Sequence, residues 1–244
     1  MALIRSILHM AWIVLTVIPW GFALVVVSIW VRRTPLWWFA VNWFRLVIWG
    51  TRMILGVKVQ VNGLEHLPEG AQSPAILLSK HQSTLETLLL PTLMPHPLAF
   101  VFKRELLRIP FFGWSMARLD MIYIDRESRA LALKHVIEQG KRLLAQGTWV
   151  IMFPEGTRIP RGEKGTYMTG GTRLAVDSGA PVIPIAVSSG KCWPRSGFTK
   201  YPGVVQVSIG KPIPSLGREP KELMREVEAW IEAEMRRIDP EAYA

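Results

Sequence analysis

From Ser6 to Val31 the chain runs for 26 residues without Asp, Glu, Lys or Arg. As a helix, such a run measures about 39 Å at ~1.5 Å per residue, enough to cross a bilayer with some tilt. Few folds accept a segment of this kind. A helix buried in the core of a soluble protein rarely runs so long without a polar face. The run ends in Trp30 and Arg32-Arg33 rather than in a small-x-small site, which argues against a cleaved signal peptide. Pro19-Trp20-Gly21 interrupts it and permits either a kinked span or a helix that dips into the membrane and returns.

The next segment, Leu36 to Gly50, is aromatic but carries Asn42 and Arg45. Seven of the 11 tryptophans lie in the first 50 residues, which localises the expected membrane contact there, since indole rings favour the interface between head groups and acyl chains. Arg32, Arg33, Arg45 and Arg52 follow the first segment and only Arg5 precedes it. If that segment spans, the positive-inside bias places the rest of the chain in the cytoplasm. The formal charge of +10 on a chain that is half hydrophobic fits an anionic membrane surface better than a nucleic acid. A single cysteine, Cys192, excludes an intrachain disulfide.

After Gly56 the composition becomes that of an ordinary α/β domain, so the expected division is 1–56 for membrane-anchoring helices and 57–244 for the domain. Short apolar or β-branched runs at 57–61, 75–79, 98–102, 121–124, 149–153, 182–187 and 204–209 read as strands. Helical patterns alternate with several of them. One runs from Ser128 to Gln146, with a serine at its start and Gly147 just past its end; another, over 219–238, puts Leu223, Val227, Trp230, Ile231 and Ile238 on one stripe. The alternation predicts an α/β fold with a mixed, largely parallel sheet flanked by helices.

Walker A, dinucleotide-glycine, His-Glu-x-x-His and Gly-x-Ser-x-Gly patterns are all missing from the sequence. Three other clusters stand out, each closing a predicted strand. The first is "HQSTLE" (81–86). Residues five apart on a helix lie about 140° apart, so His81 and Glu86 can meet only if His81 lies on a turn and Glu86 points back from the first helical turn. The pair reads either as a base with its partner or as the polar start of a core helix. The second is "FPEGTR" (153–158), a tight turn presenting Arg158, whose guanidinium suits a phosphate but equally suits water. The third is "FKRELLRIPFFGWSMA" (102–117), where Lys103, Arg104 and Arg108 adjoin a broad apolar surface, as expected of a site for an amphiphile with an anionic head. No stacking motif or basic helix supports a nucleic-acid partner.

In this order the clusters resemble the 1-acyl-glycerol-3-phosphate acyltransferase family of phospholipid synthesis, over residues 57 to about 210. The His-x-x-x-x-Asp block corresponds to "HQSTLE", the Lys-x-Glu-Leu-x-x-Ile-Pro-x-x-Gly block to "KRELLRIPFFG" (103–113), Glu-Gly-Thr-Arg to 155–158 and Val-Ile-Pro-Ile to 182–185. The resemblance implies that His81 is the general base on a glycerol hydroxyl, that Glu86 orients the imidazole, and that Lys103 and Arg158, with Arg104 nearby, bind the substrate phosphate. Glu155, Gly156 and Thr157 would shape that pocket. It further implies no metal, no cofactor and no acyl-enzyme, with acyl carrier protein or acyl-coenzyme A thioester as co-substrate. The implied acceptor is lysophosphatidic acid, and the implied location is the cytoplasmic face of a membrane. Acylation of another lysolipid or of glycerol 3-phosphate uses the same blocks, and a silent lipid-binding protein is the non-enzymatic alternative. Two departures stand out. Glu86 replaces the usual aspartate, and Met168 stands where many relatives have a lysine.

Overall fold

The computed structural model describes residues 1–70, 73–124 and 129–243. All seven predicted strands form: β1 (Val57–Asn62), β2 (Ile76–Ser79), β3 (Leu98–Lys103), β4 (Ile122–Ile124), β5 (Trp149–Met152), β6 (Val182–Val187) and β7 (Gly203–Ile209). They build one sheet in the order β1-β7-β6-β2-β5-β3-β4. Every neighbouring pair is parallel except β6 and β7. The continuous apolar runs of β2 and β6 are buried along their whole length, as a strand covered on both faces requires.

One face of the sheet is covered by α5 (Arg129–Leu144), α6 (Gly170–Ser178) and α7 (Pro220–Ile238). Val136, Leu143, Leu174, Leu223, Val227 and Ile231 pack there against Ile76, Val150 and Val182. The Ser128 expected to start α5 lies outside the described residues; at its other end Gly147 takes a left-handed φ of 78°. Pro220 opens α7, and the Glu219 carboxylate accepts the amides of Lys221 and Glu222.

The other face is covered by α2 (Arg33–Gly50) and α3 (Leu85–Leu93). Trp37, Val41, Phe44 and Val47 join Leu85, Leu88 and Leu89 in one core with the strands. The change of composition at Gly56 therefore marks no gap in packing, because α2 is a layer of the α/β domain. Outside it lies α1 (Ala2–Val27), continuous through Pro19. The two helices form an antiparallel hairpin: the Trp12 indole donates to Leu46 O, Trp43 to Thr16 Oγ1 and Trp20 to Phe39 O. α1 is tied to the domain near its start and again at Gly21. Ser6 Oγ accepts the Lys200 amide, and Gly21 O accepts from Ser115 on α4 (Phe112–Met116).

The outward stripe of α1 is bare hydrocarbon. Leu8, Leu15 and Phe22 are 56%, 71% and 64% exposed, and Ile4 and Ile18 continue the row. Trp30 and Met53 are exposed as well, at 75% and 63%. By length and composition α1 is the one helix among the described residues able to cross a membrane.

Candidate active site

In a sheet of parallel strands the carboxyl ends share one edge, and loops leaving that edge converge. β2, β5 and β3 are adjacent and parallel, so the three sequence clusters emerge side by side. His81 follows β2, Phe153 to Arg158 follow β5, and Lys103 closes β3. The fourth loop on this edge, Ser188 to Lys191, follows β6 on the other side of β2.

His81 lies on the turn before α3, as the helix geometry demands. Its peptide is clamped from both sides. The amide donates to Glu155 Oε2 at 2.9 Å, and the carbonyl accepts the Ile159 amide at 2.7 Å. Its ring stacks on Phe153, with centroids 4.0 Å apart and planes 19° from parallel. Burial first, and then the nearby Arg158 charge, push the imidazole pKa down from 6.5 to about 4. At neutral pH the ring is uncharged and free to accept a proton.

Glu86 does point back from the first turn of α3, but onto the turn itself and not onto the ring. Its Oε1 accepts from the Gln82 amide at 2.7 Å and from Ser189 Oγ at 2.6 Å. Its Oε2 accepts from Ser83 Oγ at 2.9 Å, and the Ser83 amide is shared by both oxygens at 3.0 Å. Among the described residues the buried Nδ1 of His81 has no hydrogen-bond partner. The carboxylate's bonds go to the knot between α3 and the Ser189 loop. Burial raises its pKa, while these donors pull it back. Ser83 Oγ accepts the Leu85 amide at 2.9 Å on the turn that leads into α3.

The Glu-Gly-Thr-Arg turn divides into two halves. Glu155 points inward, and burial raises its pKa despite the Lys80 ammonium beside it. Thr157 and Arg158 face outward. Arg158 Nη1 donates to Thr84 Oγ1 at 3.2 Å, which sets a guanidinium at the lip of the His81 turn. Gly156 makes the reversal at φ 65°, where a Cβ would also strike Met168 Cε. Met168 thus lies over this turn as a thioether, and no cation comes from the position where many relatives have a lysine. Lys103 is exposed on the same sheet edge, and the Arg104 guanidinium lies over the Tyr123 ring at 5.9 Å. The Lys-x-Glu-Leu block ends at Gly113, whose missing side chain lets the chain pass the Leu107 carbonyl, which a Cβ would meet at 2.4 Å.

Residues 58–188 match the protein-family model described as Acyltransferase. The chain belongs to the acyltransferase family. It is 48% identical over 202 residues, 82% of this chain and 77% of the relative, to a Pseudomonas aeruginosa protein named 1-acyl-sn-glycerol-3-phosphate acyltransferase. It is 32% identical over 182 residues, 73% of this chain, to the human 1-acyl-sn-glycerol-3-phosphate acyltransferase alpha, of which it spans 63%. The crystal structure of the 1-acyl-sn-glycerophosphate (LPA) acyltransferase PlsC from Thermotoga maritima is similar over 98% of both chains, with a TM-score of 0.80 at 25% identity.

Around this candidate site the structure adds residues that the sequence did not single out. Ser189 and Gln82 bind Glu86 and Gly190 and close the turn from the β6 side. Lys80, wholly buried, lies 2.7 Å from both Glu155 Oε1 and Glu232 Oε1. Tyr167 also donates to Glu232 Oε1 at 2.7 Å. A lysine directly after a buried strand is a faint signal that a counter-ion must exist. Nothing local distinguishes Glu232 from the other glutamates of α7.

Proposed function

We propose that this protein is a membrane-associated acyltransferase that moves a fatty acyl chain from a thioester to the sn-2 hydroxyl of 1-acyl-glycerol 3-phosphate, giving phosphatidic acid. The observation that carries this reading is a half-buried, neutral His81 at the strand edge, with the Arg158 guanidinium beside it. Arg158 and Lys103 hold the acceptor phosphate, which leaves the free hydroxyl facing the ring. His81 takes the hydroxyl proton as the oxygen bonds to the thioester carbonyl carbon. Collapse of the tetrahedral intermediate breaks the C–S bond, and the imidazolium returns the proton to the leaving sulfur. A phosphate on Arg158 also offsets the charge that weakens His81 as a base, so acceptor binding strengthens the base it needs.

Glu86 acts through the turn, fixing the His81 peptide by gathering the following amides. The thioester, from acyl carrier protein or coenzyme A, is a co-substrate, and His81 carries both proton transfers without a cofactor. An apolar recess of about 30 Å³ lies between α1, α2 and α4, lined by Trp20, Leu24, Trp43, Phe112 and Leu119; a greasy tail entering there has to part these helices. The bare stripe of α1 lies in the outer part of one leaflet, because contacts at Ser6 and Gly21 hold that helix against the domain; the face it enters is the cytoplasmic one in this reading.

The test is an acylation assay with purified protein in vesicles or mixed micelles, a thioester donor and a panel of lyso-acceptors. Lysophosphatidic acid is expected to be the best acceptor, and His81→Ala to abolish transfer. No acylation of any acceptor, or an unchanged rate in His81→Ala, would overturn the reading.

A further inference from the structure

α7 and the residues after it lie outside the matched region 58–188, yet they reach under the active-site edge. Three of the loops on that edge each send one cation to this segment. Lys80, after β2, meets Glu232 at 2.7 Å. Arg161, after β5, makes a two-pronged bond to Asp239, Nε to Oδ2 at 2.7 Å and Nη2 to Oδ1 at 2.6 Å. Lys191, after β6, meets Glu241 at 2.8 Å on the surface. The first two contacts are buried on the acidic side: Glu232 is 4% and Asp239 3% exposed.

The Lys80 contact differs from the others in what lies beyond it. The same ammonium holds Glu155 Oε1 at 2.7 Å, and the other oxygen of Glu155 accepts the His81 amide at 2.9 Å. Lys80 Nζ also donates to Glu163 O at 3.2 Å, so its donors are directed into the Glu155 turn and α7. A chain of three polar contacts thus runs from the carboxylate on α7 to the peptide of the proposed base.

One cation between two carboxylates is a poor stability device. Buried ion pairs return little of their desolvation cost, and apolar replacements are often as stable. What such a cluster does supply is a fixed geometry, since each member is useless out of register. We infer that Glu232 and Lys80 are positioning residues, which hold Glu155 and through it the His81 peptide, so that the C-terminal helix sets where the proposed base stands.

This inference rests on His81 being the base, and the experiment separates the two. Glu232→Gln leaves Lys80 and Glu155 paired and removes the surplus negative charge, so the protein folds. The double variant Lys80→Met, Glu232→Gln keeps the net charge of the cluster and guards against a single Lys80 variant that does not fold. Each is compared with wild type and with His81→Ala well below its melting temperature, reading kcat and the acceptor KM separately. Glu232→Gln is expected to lower kcat about tenfold and the double variant at least a hundredfold, with KM within about twofold. Glu232→Asp, which keeps the charge, is expected to recover part of the loss. If both variants turn over within twofold of wild type while His81→Ala is dead, the inference falls and the site assignment stands. If KM rises while kcat holds, the cluster shapes acceptor binding and the inference again falls. If wild type and His81→Ala behave alike, it is the assignment of the base that fails.

Discussion

Replacing Glu86 by glutamine separates two ways in which a carboxylate can serve an imidazole. If the charge stabilises the imidazolium directly, the amide should cost nearly as much as losing the histidine. If the carboxylate gathers the turn, an isosteric acceptor should mostly suffice. The structure favours the second. An amide oxygen at the Oε1 position keeps the Gln82 amide, the Ser83 amide and Ser189 Oγ. An amide nitrogen at the Oε2 position meets Ser83 Oγ, a hydroxyl that can turn to accept, and gives up the Ser83 amide's second bond, leaving that N–H to the Oε1 side alone. Bonds to a charged acceptor contribute ~1.5–3 kcal/mol and neutral ones ~0.5–1.5, so about 1 kcal/mol per donor is lost. Relief of the desolvation of a wholly buried carboxylate, itself several kcal/mol, offsets this. The melting temperature should therefore move by only a few degrees, at roughly 2–4 °C per kcal/mol for a chain of this size.

Glu86→Ala is a different perturbation. It strands the Gln82 and Ser83 amides and the Ser189 hydroxyl in a buried space at ~1–3 kcal/mol each, and it adds a cavity. We predict that Glu86→Gln keeps kcat within about tenfold of wild type, whereas Glu86→Ala loses at least a hundredfold, the scale of a ~1 Å misplacement. The assay is initial acylation rate at saturating donor and acceptor, alongside thermal melts. A glutamine variant with an unchanged melting temperature and the inactivity of His81→Ala would refute this reasoning and put the charge on the ring.

The remaining predictions concern protonation, the phosphate and the membrane face. The acid limb of kcat/KM should lie near pH 4 instead of the 6.5 of an ordinary histidine, and Arg158→Gln should move it upward only partly, because burial is the larger cause; an acid limb at 6.5 in wild type would contradict this. The same variant should raise the KM for lysophosphatidic acid about ten- to hundredfold, as loss of one charge-assisted phosphate contact implies. A folded pKa below the unfolded one makes His81 contribute stability that is complete above pH 6.5 and lost as pH falls toward about 4, worth up to about 3 kcal/mol. Glu86 and Glu155, shifted upward, act in the opposite sense, so the measurement is the pH dependence of the difference between wild-type and His81→Asn melting curves. Leu8→Glu with Leu15→Glu should leave the fold intact, since both side chains already face outward, but should release the protein from anionic vesicles in a sedimentation assay.

What the sequence made legible, and what it hid, follows from how far each contact reaches along the chain. Strands buried on both faces declare themselves as apolar runs, and all seven were readable within a residue or two at each end. A long stretch without charge can hide in few places, so the outward face of α1 was readable too. The turn between His81 and Glu86 was also legible, because helix geometry forbids the two from sharing a regular helix and still touching. The destination of the Glu86 carboxylate was not. The local Gln82 and Ser83 donors share it with Ser189, which is 103 residues away and approaches only because β6 lies beside β2 in the sheet. Lys80 and Glu232 stand 152 residues apart and were illegible for the same reason. A motif fixes which residue types face a reaction, because that chemistry is local. It does not fix what holds them, because support comes from whichever element the topology places underneath. In this chain the topology places a second hydroxyl and a C-terminal helix there. That is how a glutamate can occupy an aspartate's position without reaching the histidine.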